Sequence, residues 1–308
     1  MELSVANVAA VGVELAREAR EIGQAIWSSG ELDVQDKAEE GGAFDPTTAA
    51  DIAIQRRVED VLSRLFPDLV VVGEEDTSAS SSETENGQEG GGGDGVEAYL
   101  NARLPELTRV GDGEEDGRME EVVEDASRVR VFVDPLDGTL AFTEGLVEAV
   151  MFLFGVTLDG VPVAGVMSPI FAPQPRVVVG VSGMGVAGVD LEAREETWDH
   201  NGTTGKMAAS RSAPFIRDNG TAVGVCAHHP EREFEVLPMA GCGNKFLSVI
   251  DGLTDGYVET RASLKVWDTA APTAVLSVLG GTVGGVAYEG GDVVHRDGIS
   301  AWRAELSV

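Results

Sequence analysis

The chain has 308 residues, 43% of them hydrophobic, enough for one large domain or two modest ones around a packed core. With 53 Asp and Glu against 22 Lys and Arg, the formal charge is −31, which argues against nucleic acid or an anionic membrane as partner. Two cysteines, Cys226 and Cys242, are too few for a disulfide framework and form no CxxC pair, so both read as reduced core thiols.

No basic stretch followed by an apolar one opens the chain. The longest apolar run, "AVMFLFGVTL", is about half of the ~20 residues that cross a bilayer. A cytoplasmic protein is therefore expected. Val5, Val8, Leu15, Ile22 and Ile26 fall at helical spacing and predict an amphipathic first helix. A second helix opens at "TTAAD", carries Ile54, Val58, Val61, Leu62 and Leu65, and stops before Pro67. Thr48 and Asp51 have the spacing of a capping box at its start. "LVVVGEED" reads as a buried strand finishing in Glu74, Glu75 and Asp76. The low-complexity stretch "TSASSSETENGQEGGGGDG" then reads as a solvated acidic loop over about 77–95, with a short helix in "GVEAYLNARL".

"VFVDPLDGTLAFTEG" starts as a strand and reaches two aspartates three residues apart. "EAVMFLFGVTLDGVPVAGVMSPI" predicts two strands around an Asp159-Gly160 turn, and "RVVVGVSGMGVAGV" another hairpin. The last third alternates: strand "AVGVC", helix from Asn244, strand "GYVET", helix "WDTAAPTAVLSVLGG", strand "TVGGVAY". This order predicts an α/β (α+β) protein with mixed sheets between helices, in halves 1–168 and 169–308.

Taken singly, Asp51 and Asp268 read as first-turn acids that favour a helix dipole, and Glu74 to Asp76 as the start of the acidic loop. Asp134-Pro-Leu-Asp137-Gly-Thr139 resists such a reading, because a turn uses one Asp. Two carboxylates at the end of an apolar strand repel, and each costs several kcal/mol to desolvate unless a cation compensates. Hard divalent cations take oxygen ligands from carboxylates, carbonyls and water, so Mg²⁺, and more than one ion, is expected.

"DPTTAAD", "VVVGEED", "VDPLDGTLAFTEG" and "VWDTAAPTAVLSVLGG" resemble, in order, the four signatures of the lithium-sensitive, Mg²⁺-dependent phosphatase superfamily that includes inositol monophosphatase. "FTEG" after "DPLDGT", the "GCGNKFLSVIDG" segment and the long connection from Glu74 to Asp134 are most similar to 3′(2′),5′-bisphosphate nucleotidases. Inositol polyphosphate 1-phosphatases share the long connection. The resemblance implies a layered αβαβα sandwich of the inositol monophosphatase and fructose-1,6-bisphosphatase type, holding two to three Mg²⁺ ions. It implies that Glu74, Asp134 and the Leu136 carbonyl hold one ion, and Asp134, Asp137 and Asp268 a second. Asp51 and Thr139 would orient and deprotonate the attacking water, with Asp51 helping to bind a third ion. The implied reaction removes the 3′- or 2′-phosphate of 3′(2′)-phosphoadenosine 5′-phosphate, giving AMP and phosphate. Inositol polyphosphate 1-phosphatase or inositol monophosphatase activity is the alternative.

Candidate substrate contacts are Thr139, Ser210, Gly241 and Lys245. Gly241 to Lys245 opens a helix, whose N–H groups with the Lys245 ammonium suit a phosphate. The resembled nucleotidases set a Thr-Arg-Ser-His segment against the nucleotide; here it reads Ser210-Arg211-Ser212-Ala213, without the histidine. His228 and His229 are candidates to replace it, or a surface pair. The expected partner is a small phosphate ester, a bisphosphorylated nucleotide, with no nucleic acid, membrane or protein partner inferred. Gly183-x-Gly185-x-x-Gly188 matches a dinucleotide fingerprint and would suggest an NAD-binding oxidoreductase, but no helix or acid-ending strand accompanies it. A non-catalytic interaction protein built on the acidic loop is the other rival, against which the intact set of acids argues. No GxSxG or Cys/His constellation supports nucleophilic catalysis.

Overall fold

Capping chemistry sets the first two helices. Ser4 Oγ accepts from the Asn7 amide at 3.2 Å to start α1 (Val5–Ser29), which stops at Gly30 with φ 73°. Short strands β1 (Gln35–Asp36) and β2 (Pro46–Thr47) pair antiparallel and lead into α2 (Ala49–Leu65). The capping box at Thr48 is present: Thr48 Oγ1 accepts from Ala50 N (3.2 Å), and Asp51 Oδ2 accepts from Thr48 N (2.9 Å). The computed structural model describes residues 1–38, 44–75, 96–110, 117–196, 204–210, 213–217, 219–227, 229–289 and 293–304. The acidic loop expected over 77–95, with Asp76, Arg211, Ser212 and His228, lies outside these.

Next come β3 (Val70–Gly73), α3 (Glu97–Leu100), β4 (Val129–Asp137), α4 (Thr139–Thr143), β5 (Met151–Leu158), β6 (Val161–Pro169), β7 (Val178–Val181) and β8 (Gly185–Ala187). The remainder is α5 (Leu191–Glu196), β9 (Thr204–Ala209), β10 (Thr221–Val223), β11 (Glu233–Pro238), α6 (Cys242–Ile250), β12 (Gly256–Glu259), α7 (Val266–Val278), β13 (Thr282–Gly284) and β14 (Ile299–Trp302). One sheet runs β3-β4-β5-β6-β7-β8, parallel only at β3–β4. The other runs β10-β11-β9-β12-β14-β13, with β9 parallel to both its neighbours.

Helices α1 and α2 cover one face of the first sheet, and α7 the other, with α6 beside it under the second sheet. The central layer joins Leu153 and Met167 of the first sheet to Phe246 and Val275 of the helices and Tyr257 of the second sheet. Beyond the second sheet, Phe234 and Trp302 are covered by Ala213, Phe215, Ile216 and Cys226, which lie in turns. The mixed, layered α/β architecture is the one expected.

Glycines bring α7 against the first sheet. Gly155 and Gly165 face each other across β5 and β6. A Cβ at Gly155 would lie 2.6 Å from Ala271 N, and one at Gly165 2.1 Å from Ala271 O. The helix rests directly on the strand backbones.

Several boundaries differ from the sequence reading. The strand expected to be buried, β3, is a sheet edge with Val70 43% exposed, because only β4 pairs with it. Helix α3 is a single turn, and α6 starts at Cys242 rather than Asn244. "AVGVC" and "TVGGVAY" contract to β10 and β13, each broken by a glycine of positive φ, Gly224 (74°) and Gly285 (83°). The Asp159-Gly160 turn forms as predicted, with φ of 52° and 76°. Gly183 to Gly188 make the turn and return strand of the β7–β8 hairpin, where Gly185 packs on the Thr108 carbonyl; no helix opens there, so the dinucleotide fingerprint falls. Among the described residues no helix is long and apolar enough to cross a membrane.

Candidate active site

The two aspartates of "DPLD" close β4, whose last residue is Asp137, and a bulge lies between them. Side chains three apart on a regular strand point to opposite faces. Here the pairing with β5 shifts register between Asp134 and Asp137, and Asp134 Oδ1 accepts the Leu136 amide at 3.0 Å. The bulge turns both carboxylates to one side. Asp268, in the first turn of α7, completes the group: each of the three offers an oxygen, and these lie within 4.8 Å of one another. Glu74 follows β3, its amide bonded to the Val133 carbonyl at 3.2 Å, and lines the same cleft.

Asp137 is held from across the molecule. Its carboxylate accepts the Cys242 and Gly243 amides at 3.0 and 2.8 Å, capping the N-terminus of α6. Beside it, the Thr139 hydroxyl lies 3.0 Å from Asp51 Oδ1 and 3.0 Å from the Leu136 carbonyl, able to donate to either. Asp51 is fully buried beneath Thr139.

Burial pushes the Asp51 and Asp268 carboxyls up to about 7. It takes Asp137 up to about 6 against the pull of the two amides and Lys245. Asp134 is raised further by burial and by the charges of Glu74, Asp137 and Asp268. A divalent cation would reverse every one of these shifts. The oxygens gathered here, from the carboxylates of Glu74, Asp134, Asp137 and Asp268, suit a hard cation rather than a soft one.

A cleft of about 380 Å³ is lined by Glu74, Asp134, Asp137 and Asp268 together with Ser210, Lys245, Glu259 and Arg261. Lys245 Nζ donates to Ser210 Oγ at 3.1 Å, Ser210 Oγ donates to Glu259 Oε2 at 2.9 Å, and Arg261 donates to both Glu259 oxygens at 2.9 Å. Burial acts to raise Glu259, but the Arg261 guanidinium and amide together with the Ser210 hydroxyl outweigh it and hold the carboxyl at about 2. The amides of Cys242 and Gly243, expected to face a phosphate, are engaged by Asp137, leaving the Lys245 ammonium as that segment's cation, beside Arg261 and Lys265 in the cleft lining. Gly241 also lines the cleft with φ 73°, where a Cβ would lie 2.5 Å from the Ala149 carbonyl. His229 stands 4.0 Å from Glu231 and is no part of the cleft wall.

Three residues escaped the sequence reading. Glu259 ends a predicted strand and Arg261 follows it, a placement common to any strand exit. Lys37, whose Nζ lies 2.9 Å from Glu74 Oε1 and 2.6 Å from Glu75 Oε1, stands alone in an acidic stretch. No spacing rule marks it.

A profile of the inositol monophosphatase family matches residues 4–306. The chain is 29% identical over 284 residues to 3′(2′),5′-bisphosphate nucleotidase 1 of Rattus norvegicus, covering 89% of this chain and 82% of that one. It is 29% identical over 303 residues to the Homo sapiens protein of the same name, covering 94% and 88%. Among solved structures, extragenic suppressor protein suhB from Bartonella henselae superposes with a TM-score of 0.59 at 20% identity, over 96% of this chain and 94% of that one. With its acids gathered in one cleft, the chain belongs to the inositol monophosphatase family and is a phosphoric monoester hydrolase.

Proposed function

We propose that the chain uses Mg²⁺ to remove the 3′- or 2′-phosphate of a 3′(2′),5′-bisphosphorylated adenosine nucleotide, leaving AMP and phosphate. The observation that carries this reading is the single cleft in which Asp134, Asp137 and Asp268 meet the Thr139–Asp51 pair and face Lys245. The likeness to two proteins named bisphosphate nucleotidases supports the substrate class.

Glu74, Asp134, the Leu136 carbonyl, Asp137 and Asp268 would hold two to three ions. Bound there, Mg²⁺ supplies charge neutralisation for phosphoryl transfer and acidifies water. Thr139 Oγ1 accepts a hydrogen bond from the attacking water while donating its own proton to Asp51 Oδ1. The pair thereby orients the water and drains its proton into a buried carboxylate. Lys245, anchored through Ser210 to Glu259, holds the phosphate that does not react. Gly241 keeps the approach to that phosphate free of a side chain.

The test is phosphate release from 3′-phosphoadenosine 5′-phosphate, inositol 1,4-bisphosphate and inositol 1-phosphate, each with and without Mg²⁺. The nucleotide is expected to give the highest kcat/KM. A preference for either inositol ester would replace the nucleotide reading with an inositol phosphatase.

A further inference from the structure

Lys37 lies at the rim of the acid cluster and plays no part in the reaction outlined above. Its ammonium contacts two carboxylates: Glu74 Oε1 at 2.9 Å and Glu75 Oε1 at 2.6 Å. The second is a dedicated anchor. Glu75 has its side chain 3% exposed and is fixed through its backbone, with Glu75 N donating to Gln55 Oε1 at 2.8 Å and Gln55 Nε2 donating back to the Glu75 carbonyl. Lys37 itself is tied through its amide to the Asp45 carbonyl at 2.8 Å, beside the β1–β2 pair. The backbones at both ends of the contact are thus held, and the ammonium sits between two carboxylates.

We propose that Lys37 is an internal counter-cation that competes with the divalent metal for Glu74 and so weakens metal binding. This inference rests on the metal reading of the cleft. A positive charge pinned against one oxygen of Glu74 withdraws that oxygen from an incoming ion and repels the ion as well. In exchange, the ammonium offsets one of the two charges of the Glu74–Glu75 pair when no metal is bound, which favours the metal-free fold around the acids. Lys37 is a positioning residue: it acts through Glu74.

The experiment titrates Mg²⁺ alone into the full chain freed of metal, by calorimetry and by the rise of Tm with Mg²⁺, for wild type, Lys37→Gln, Lys37→Met and Lys37→Arg. Lys37→Gln is expected to bind Mg²⁺ about tenfold more tightly while its metal-free Tm falls; Lys37→Arg should stay close to wild type. Lys37→Met, which keeps the stem of the side chain, carries the same expectation if the glutamine variant does not fold. In the wild type, the ¹⁵Nζ resonance of Lys37 should move as Mg²⁺ is added. Neutral variants that bind Mg²⁺ with unchanged or weaker affinity, or a static Lys37 resonance, overturn the role given to Lys37 alone. A wild-type chain that binds no Mg²⁺ overturns the metal reading, and this inference with it.

Discussion

Thr139 Oγ1 sits 3.0 Å from Asp51 Oδ1, although the two residues are 88 positions apart in the chain. One begins α4 just after the β4 bulge; the other lies in the first turn of α2. Thr139→Ala removes the hydroxyl of this pair and Asp51→Asn its proton acceptor. Each is expected to lower kcat by about 10² to 10⁴, the range for a lost general base, with Mg²⁺ binding largely kept. Thr139→Ser should recover most of the loss. Steady-state kinetics beside a Mg²⁺ titration check this, and a variant with wild-type kcat would remove the pair from the chemistry.

Asp137 serves two structures at once, the acid cluster and the N-terminus of α6. Asp137→Asn keeps the shape but sets an NH2 donor against one of the two amides, so turnover should collapse while the Tm falls by the cost of that one amide. Asp137→Ala also strands the Cys242 and Gly243 amides, each costing about 1–3 kcal/mol when left buried without a partner. The alanine variant is therefore expected to melt well below the asparagine variant. Equal melting temperatures would mean that the two amides find other acceptors.

The raised carboxyls give the metal-free protein a pH signature. A carboxyl whose pKa is higher folded than unfolded holds its proton more tightly in the native state, so its stabilising contribution is present at low pH and is lost as pH rises. Asp51 and Asp268 rise from 3.8 to about 7, so stability should fall between about pH 4 and 7. Glu259, lowered to about 2, contributes the opposite slope only below pH 4.5. Thermal melts in EDTA should show the decline, and Mg²⁺ should restore Tm most at the upper end. A flat profile, or a Mg²⁺ effect equal at pH 5 and pH 8, would contradict it.

Lys245→Ala is expected to raise KM for a bisphosphorylated nucleotide and to leave kcat nearly unchanged. Its ammonium holds a group that does not change in the transition state. With inositol 1-phosphate, which has no second phosphate, the same substitution should cost less. Equal losses with both substrates would separate Lys245 from recognition of the second phosphate.

Much of this was legible in the sequence because it rests on local rules. The Thr48–Asp51 capping box, the Asp159-Gly160 turn and the strand-then-acid pattern of "VFVDPLD" are short-range signals, and each formed. What the sequence hid is relational. Nothing near Asp137 announces that its carboxylate will cap α6, more than a hundred residues away. The bulge that gives Asp134 and Asp137 a common side is visible only once β5 supplies a register to violate. Lys37 and Arg261 are ordinary surface-type residues until the fold sets acids beside them. The strands β9, β11 and β14 were missed because each is short, at six, six and four residues, and lies between partners that only the fold brings together.

The glycine pair under α7 ties the active site to the core in a way that affects mutational tolerance. At Gly165 even one methyl group would meet the Ala271 carbonyl, so the helix must lift, and Asp268 at its start would lift with it. A change there that the core can absorb should therefore surface first as weaker binding of the proposed Mg²⁺ ions, before any loss of yield. Variants selected only for abundance would pass such changes unnoticed, and variants selected at limiting Mg²⁺ would not.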